Sequence, residues 1–249
     1  MMTILKIAKK TDPGIFVDLA AAFPQYASNS FILEQCFGWR GICIEGDREK
    51  TPILADQRAC TLITNCVADK IQTVEFLSQL DSGSSGINDV TTLSDNTKQY
   101  HKYKVQCLPL PMLLAKHDVT HVDFMSLDIE GAEGMALEGM RSSSIKIDVL
   151  VIEVEHCCKE DSPKTQPARA SAMAFLKEND YLPMVGSIYS GIPAGHCDNG
   201  KPTAIDLTGF SLEELFANQM GGAWDVFFVR KDSIYYEPFQ QFATCKYSL

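Results

Sequence analysis

Four short apolar runs, each closed by a carboxylate, constrain this chain more than any other feature. They are "GIFVDL" with Asp18, "GICIE" with Glu45, "CTLITNCVAD" with Asp69 and "HVDFMSLD" with Asp128. A half-exposed strand alternates polar and apolar residues, so continuous runs of this length predict strands buried on both faces. Segments of helical spacing lie between them. "SNSFILEQCF" places Phe31, Leu33, Cys36 and Phe37 on one stripe, with Ser28 or Asn29 as the expected N-cap. "REKTPILADQR" reads as a weaker helix, with Pro52 tolerated only near its first turn. "KIDVLVIEVEH" predicts a strand finishing in Glu153, Glu155 and His156. "ARASAMAFLKEND" then predicts a helix, "YLPMVGSIY" a strand and "AWDVFFVRK" a closing strand. Strands alternating with helices specify an α/β fold, a mainly parallel sheet covered on both faces.

With 249 residues, 45% of them apolar, the chain suits one domain. We expect its core over about 14–232, with 81–104 and 190–209 as long polar loops and "TVEFLSQ" extending the sheet edge. A net charge of −10 with scattered lysines and arginines argues against a nucleic-acid partner. No run approaches the roughly 18–20 apolar residues of a membrane span, and "MMTILKIAKK" lacks the apolar stretch of a secretory signal. The nine cysteines include no C-x-x-C pair. Cys43, Cys60 and Cys66 fall in strand-like runs, where unpaired cysteine acts as a small hydrophobe. This predicts free thiols in a reducing, cytoplasmic protein. Nothing in the sequence sets an oligomeric state.

In open α/β sheets ligands bind at the carboxyl ends of the strands, where these acids fall. Four carboxylates suit a ligand rich in hydrogen-bond donors: hydroxyls, an amino group, an adenine amine. They do not suit a triphosphate, and no G-x-x-x-x-G-K-[ST] is present. Taken singly, each acid is better explained as a solvated turn residue; it is the coincidence of four that favours a ligand.

The stretch "FVDLAAAFPQYASNSFILEQCFGWRGICIEGD", followed by "NCVAD", "VDFMSLDIEGAEGMALEGM" and "VLVIEVEH", resembles the FkbM family of S-adenosylmethionine-dependent methyltransferases. "GWRGICIE" and "SLDIEGAE" are specific in combination, and "WDVFFVRK" resembles the family's last strand. The resemblance implies a class I methyltransferase (Rossmann-like) fold, a seven-stranded, mainly parallel sheet with helices on both faces and an antiparallel last strand. It also implies that Asp18, the turn at Ala20 and Asn29 hold the methionine part of S-adenosylmethionine. By the same resemblance, Glu45 holds the ribose hydroxyls, Ala68 and Asp69 face the adenine, and Asp128 lies beside the amino group or the acceptor. The expected reaction is O-methylation of a small-molecule acceptor, a sugar or secondary metabolite, with His156 and Asp128 as catalytic residues.

The first turn departs from the family pattern of an acid, Gly-Ala-Asn-Asp-Gly and, further on, Ser-Asn. Asp18, Ala21, Ser28 and Asn29 are kept. Ala20 and Pro24 replace the glycines, and Ala22 and Phe23 replace the Asn and Asp. Proline cannot take φ > 0 and offers no N–H, so the turn needs another path at Pro24. A second reading follows: a catalytically silent protein that keeps the fold and binds a ligand or partner. Asp128, Glu130, Glu155 and His156 include hard oxygen ligands that Mg²⁺ accepts. Their spacing specifies no metal cage, nor does that of "EHCC" and "GHC" for zinc.

Overall fold

The runs ending in Asp18, Glu45 and Asp128 lie between two layers of helices, which is why they are apolar without interruption. The structure, a computed structural model, describes residues 13–26, 28–79, 85–90, 100–155, 166–189, 202–207, 209, 211–217 and 223–243. The chain opens with β1 (Ile15–Leu19), α1 (Phe31–Phe37), β2 (Arg40–Ile44), α2 (Thr51–Gln57), β3 (Thr61–Ile63) and β4 (Cys66–Val67). Then come β5 (Gln72–Ser78), β6 (Gly86–Ile87), β7 (His101–Leu108), α3 (Leu110–Ala115), β8 (His121–Leu127) and α4 (Glu133–Met140). The remainder is β9 (Lys146–Glu155), α5 (Gln166–Glu178), β10 (Tyr181–Tyr189), β11 (Pro202–Asp206), α6 (Leu212–Ala217), β12 (Ala223–Arg230) and α7 (Tyr236–Ala243).

The main sheet has eight strands in the order β11-β10-β12-β9-β8-β1-β2-β3. From β9 to β3 every pairing is parallel. The last strand, β12, runs antiparallel between β9 and β10, as expected. An eighth strand, β11, pairs antiparallel with the edge of β10 and lies inside the interval read as a loop at 190–209.

Alternate residues feed two cores. Val17 and Leu19 pack with Leu113, Leu137 and Leu176 of α3, α4 and α5. Phe16 and Cys43 pack with Leu33, Leu54 and Phe239 of α1, α2 and α7. A strand served on both faces gains from apolar residues at every position. Two glycines at the starts of these strands admit aromatic rings: a Cβ on Gly41 would lie 2.2 Å from the Phe16 ring, and one on Gly14 2.7 Å from Trp39.

Several local expectations are corrected. Helix α1 begins after Ser30, whose own side chain makes no cap bond; Ser28 Oγ accepts the N–H of Phe31 at 3.1 Å. "CTLITNCVAD" divides between two sheets, β3 in the large one and β4 in a second sheet ordered β4-β7-β5-β6. "TVEFLSQ" is β5 of that small sheet rather than an edge of the large one, and β6 and β7 both begin inside the expected loop at 81–104. The thiol reading also fails. Cys43 is bonded to Cys60 and Cys66 to Cys107, so three cysteines taken as free are in disulfides. The ground for expecting a reducing compartment goes with them. Among the described residues, no helix is long and apolar enough to cross a membrane.

Candidate functional site

The turn after β1 keeps the left-handed backbone that its sequence lacks glycines to supply. Ala20 has φ 56° and Ala22 φ 37°. Each left-handed alanine costs about 1–2 kcal/mol, so surrounding bonds must hold the path. Ala20 N–H donates to Ile44 O at 2.9 Å, and Ala22 N–H donates to Glu45 Oε2 at 2.8 Å. The turn is thus tied to the end of β2. Pro24 is buried and takes no positive φ.

Two hollows open beside this turn, sharing Leu19 and Ala20. The first, of about 410 Å³, has apolar walls from Ile44, Phe76, Ile87 and Ile129, with the Glu45 carboxylate among them. Gly46 also lines it, and a Cβ there would stand 3.1 Å from the Phe76 ring. The second, of about 680 Å³, carries Asp18, Asn29, Ser126, Asp128 and Glu130, with Phe23 and Tyr26 at its edge. Neither Phe23 nor Pro24 lines the first hollow.

Glu45 is buried, and its second oxygen, Oε1, accepts Asp47 N–H at 2.7 Å. Burial pushes its carboxyl up to about 7, against the pull of those N–H groups and of Lys50. Asp18 is buried too. It accepts hydrogen bonds from the hydroxyls of Ser30 and Ser28 and lies 3.7 Å from Arg58 Nη1. Burial still raises its carboxyl above the usual range. Arg58 is the residue that sequence reasoning missed. Its buried guanidinium also reaches Glu34 at 3.4 Å and Ser30 Oγ at 2.8 Å, and lies over the rings of Phe16 and Phe31. In sequence it is one more arginine after a helix, and nothing there marks it as buried.

Asp128 is exposed to the second hollow yet ringed by protein. Its carboxyl is hydrogen-bonded to that of Glu153, on the neighbouring strand. Burial and the Asp128 charge raise Glu153 far above the carboxylate range, so this pair holds a proton at neutral pH. Asp225, paired across strands with Glu153, is pushed up to about 6 by burial and by Asp128. The loop after β8 is stitched by Glu133, in the first turn of α4, which accepts the N–H groups of Ile129 (2.9 Å) and Gly131 (3.2 Å). Glu130 precedes that helix, at φ 57°.

Asn29 donates to Ser126 Oγ at 3.1 Å across the second hollow's wall. Ala68 is buried, and its N–H goes to Leu108 O. Asp69 accepts a bond from Gln72 at 3.4 Å. Neither lines the first hollow, whose wall at this point is Asn65, Cys66 and Val67. His156 lies outside the described residues, as do the Glu155 side chain and His196 of the "GHC" segment weighed for zinc. The group with metal-ligand spacing among the described residues is His121, Asp123 and Asp148. It sits at the amino ends of β8 and β9, away from both hollows, and Arg230 already pairs with Asp148 at 3.0 Å. No ligand set for Mg²⁺ gathers around Asp128 among the described residues.

A family model described as the methyltransferase FkbM domain matches residues 18–183. No curated protein matches the chain. Among solved structures, it is similar to precorrin-6y C5,15-methyltransferase from Geobacter metallireducens GS-15, at 11% identity and a TM-score of 0.41, over 92% of this chain and 87% of that one. It is also similar to the plantazolicin methyltransferase BpumL, solved in complex with SAH, at 10% identity and a TM-score of 0.34, over 92% of this chain and 80% of that one.

Proposed function

The chain belongs to the FkbM methyltransferase family, and from that premise we propose that it transfers a methyl group from S-adenosylmethionine to a hydroxyl oxygen of a small molecule. The observation that carries this is the pair of hollows meeting at Ala20, one apolar with a single buried carboxylate, the other polar and acidic. Ile44, Phe76, Ile87 and Ile129 suit an adenine ring. Each Glu45 oxygen accepts one N–H and keeps further lone pairs, as two ribose hydroxyls require. Asp18, the Ala20 turn and Asn29 border the space for the methionine part. The cofactor supplies a methyl group already made electrophilic by its sulfonium.

The chain's own task is alignment, exclusion of water and removal of one proton. A hydroxyl placed in the second hollow meets Asp128. Burial raises both carboxyls of the hydrogen-bonded Asp128–Glu153 pair, and this pair, through Asp128, is the base that accepts the hydroxyl's proton.

Calorimetry with S-adenosylhomocysteine tests the reading. Glu45→Ala removes hydrogen bonds to a charged group, each worth roughly 1.5–3 kcal/mol, so affinity is expected to fall about 100-fold. In the wild type, affinity should weaken as pH drops below about 7, where Glu45 takes up a proton. No heat from the wild type at millimolar ligand sinks the reading and favours the silent binding protein.

A further inference from the structure

Behind the first hollow lies a buried cation with no direct part in holding adenine, ribose or acceptor. Lys50 is 2% exposed, and an ammonium ion taken out of water is costly unless it is paired. Its Nζ donates to Ser85 Oγ at 2.9 Å, stands 3.7 Å from Asp47 and lies 5.8 Å from the centre of the Phe23 ring. Each partner belongs to a different piece of the site. Ser85 lines the first hollow, Phe23 lines the second, and Asp47 gives its N–H to Glu45.

Asp47 is also where the small sheet is fastened. It accepts the hydroxyls of Ser78, on β5, and Tyr103, on β7, at 2.8–2.9 Å. Among the described residues, the charged groups that act on Glu45 include Asp47, a like charge beside it, and Lys50, an opposite one. Beyond Asp47 lie Glu49, bonded to His101 at 2.8 Å, and Arg48 over the Tyr103 ring.

We infer that Lys50 is a positioning residue for the cofactor pocket: its ammonium, held by Asp47 and Ser85, supplies the positive charge that Glu45 needs to act as a carboxylate, and it pins the Phe23 turn against the small sheet. The inference rests on Glu45 holding the ribose. Lys50 lowers the Glu45 carboxyl while burial raises it, so loss of the ammonium leaves two neighbouring carboxylates and drives Glu45 to take up a proton at higher pH.

The deciding measurement needs no ligand. A ¹³C NMR titration of the Glu45 carboxyl, assigned by its loss in Glu45→Gln, is run on wild type and Lys50→Met. Nearby opposite charges lower a carboxyl by about 1–3 units, and Lys50 lowers Glu45 from its place 3.7 Å from Asp47, so the midpoint should rise by about one pH unit in the variant. With Glu45 near 7 in the wild type, S-adenosylhomocysteine affinity should then fall about fivefold at pH 7 and recover to within about twofold at pH 9. An unmoved midpoint overturns the inference, as does an equal loss of affinity at every pH, which a purely structural lysine gives. Should Lys50→Met not fold, Ser85→Ala carries the test: a smaller rise in the same direction supports the inference and an unchanged midpoint overturns it. If the wild type binds no S-adenosylhomocysteine, the proposed function falls while the titration still decides what Lys50 does.

Discussion

Leu19 and Ala20 line both hollows, yet the two spaces are walled in opposite ways. The first draws its walls from two sheets: Ile44 and Glu45 come from the end of β2, Phe76 and Ile87 from the small sheet. It is apolar and holds one carboxylate. The second is built by the large sheet and its turns, and it concentrates Asp18, Asp128 and Glu130. A wall assembled from two sheets keeps its shape only if the sheets are fastened together, here by Asp47 with Ser78 and Tyr103 and by Lys50 with Ser85. A floor of packed acids faces another difficulty, since like charges in low dielectric repel strongly. It needs protons or a buried counter-ion, and it has both: the Asp128–Glu153 proton and the Arg58 guanidinium.

The largest expected effect breaks the second hollow alone. Arg58→Met removes the counter-ion from Asp18 and Glu34 and strands two buried carboxylates. Removing one partner of a buried pair costs about 3–5 kcal/mol, to be read by urea denaturation at pH 8. Asp18 is already raised in the folded protein. A carboxyl raised on folding contributes stability below its unfolded value and loses it as pH climbs through the folded one. Without Arg58 that loss deepens, so the variant's deficit should be smaller at pH 5 than at pH 8. A deficit under about 1 kcal/mol at pH 8 means that Arg58 does not support this floor.

The next effect separates the hollows by their disulfides. Cys66–Cys107 joins β4 to β7 across 41 residues of sequence, and Cys66 lines the first hollow. Cys43–Cys60 lies instead with the core on the Phe16 face of the large sheet. Losing either bond costs about 2–4 kcal/mol. Only Cys66→Ser with Cys107→Ser should also loosen the first hollow, weakening S-adenosylhomocysteine several-fold. Equal losses of affinity from the two paired variants contradict a first hollow walled by the small sheet.

The same contrast shows what could be read from sequence. The large sheet was legible because strands packed on both faces have to be apolar throughout, and because acids at their ends mark the ligand edge. Asp18, Glu45 and Asp128, which line the two hollows, stand at the ends of such runs. The small sheet was not legible: β4 and β6 have two residues each, too few to show a period, and β5 and β7 pair across an interval whose polar composition resembles a loop. Cys66 and Cys107 lie 41 residues apart, and only their register in neighbouring strands reveals a bond. Arg58 and Lys50 stayed hidden for a related reason. Buried cations are rare, and a single basic residue at a helix end shows nothing of its burial.

The smallest effect falls on the residue that the two hollows share. Ala20 holds φ 56° where glycine would be unstrained. Ala20→Gly relieves about 1–2 kcal/mol of left-handed strain and gives back about 0.5–1 kcal/mol through the freer unfolded chain. The net gain should be about 0–1.5 kcal/mol, a rise in Tm of at most about 5 °C for a chain of this size. Its N–H still donates to Ile44 O, so the path of the turn is kept, and S-adenosylhomocysteine affinity should change less than about twofold. A higher Tm with affinity preserved means that the alanine is tolerated strain, carried by the bonds to β2. A higher Tm with affinity lost means that the Ala20 methyl is itself part of the partition, and that the two hollows work only while something stands between them.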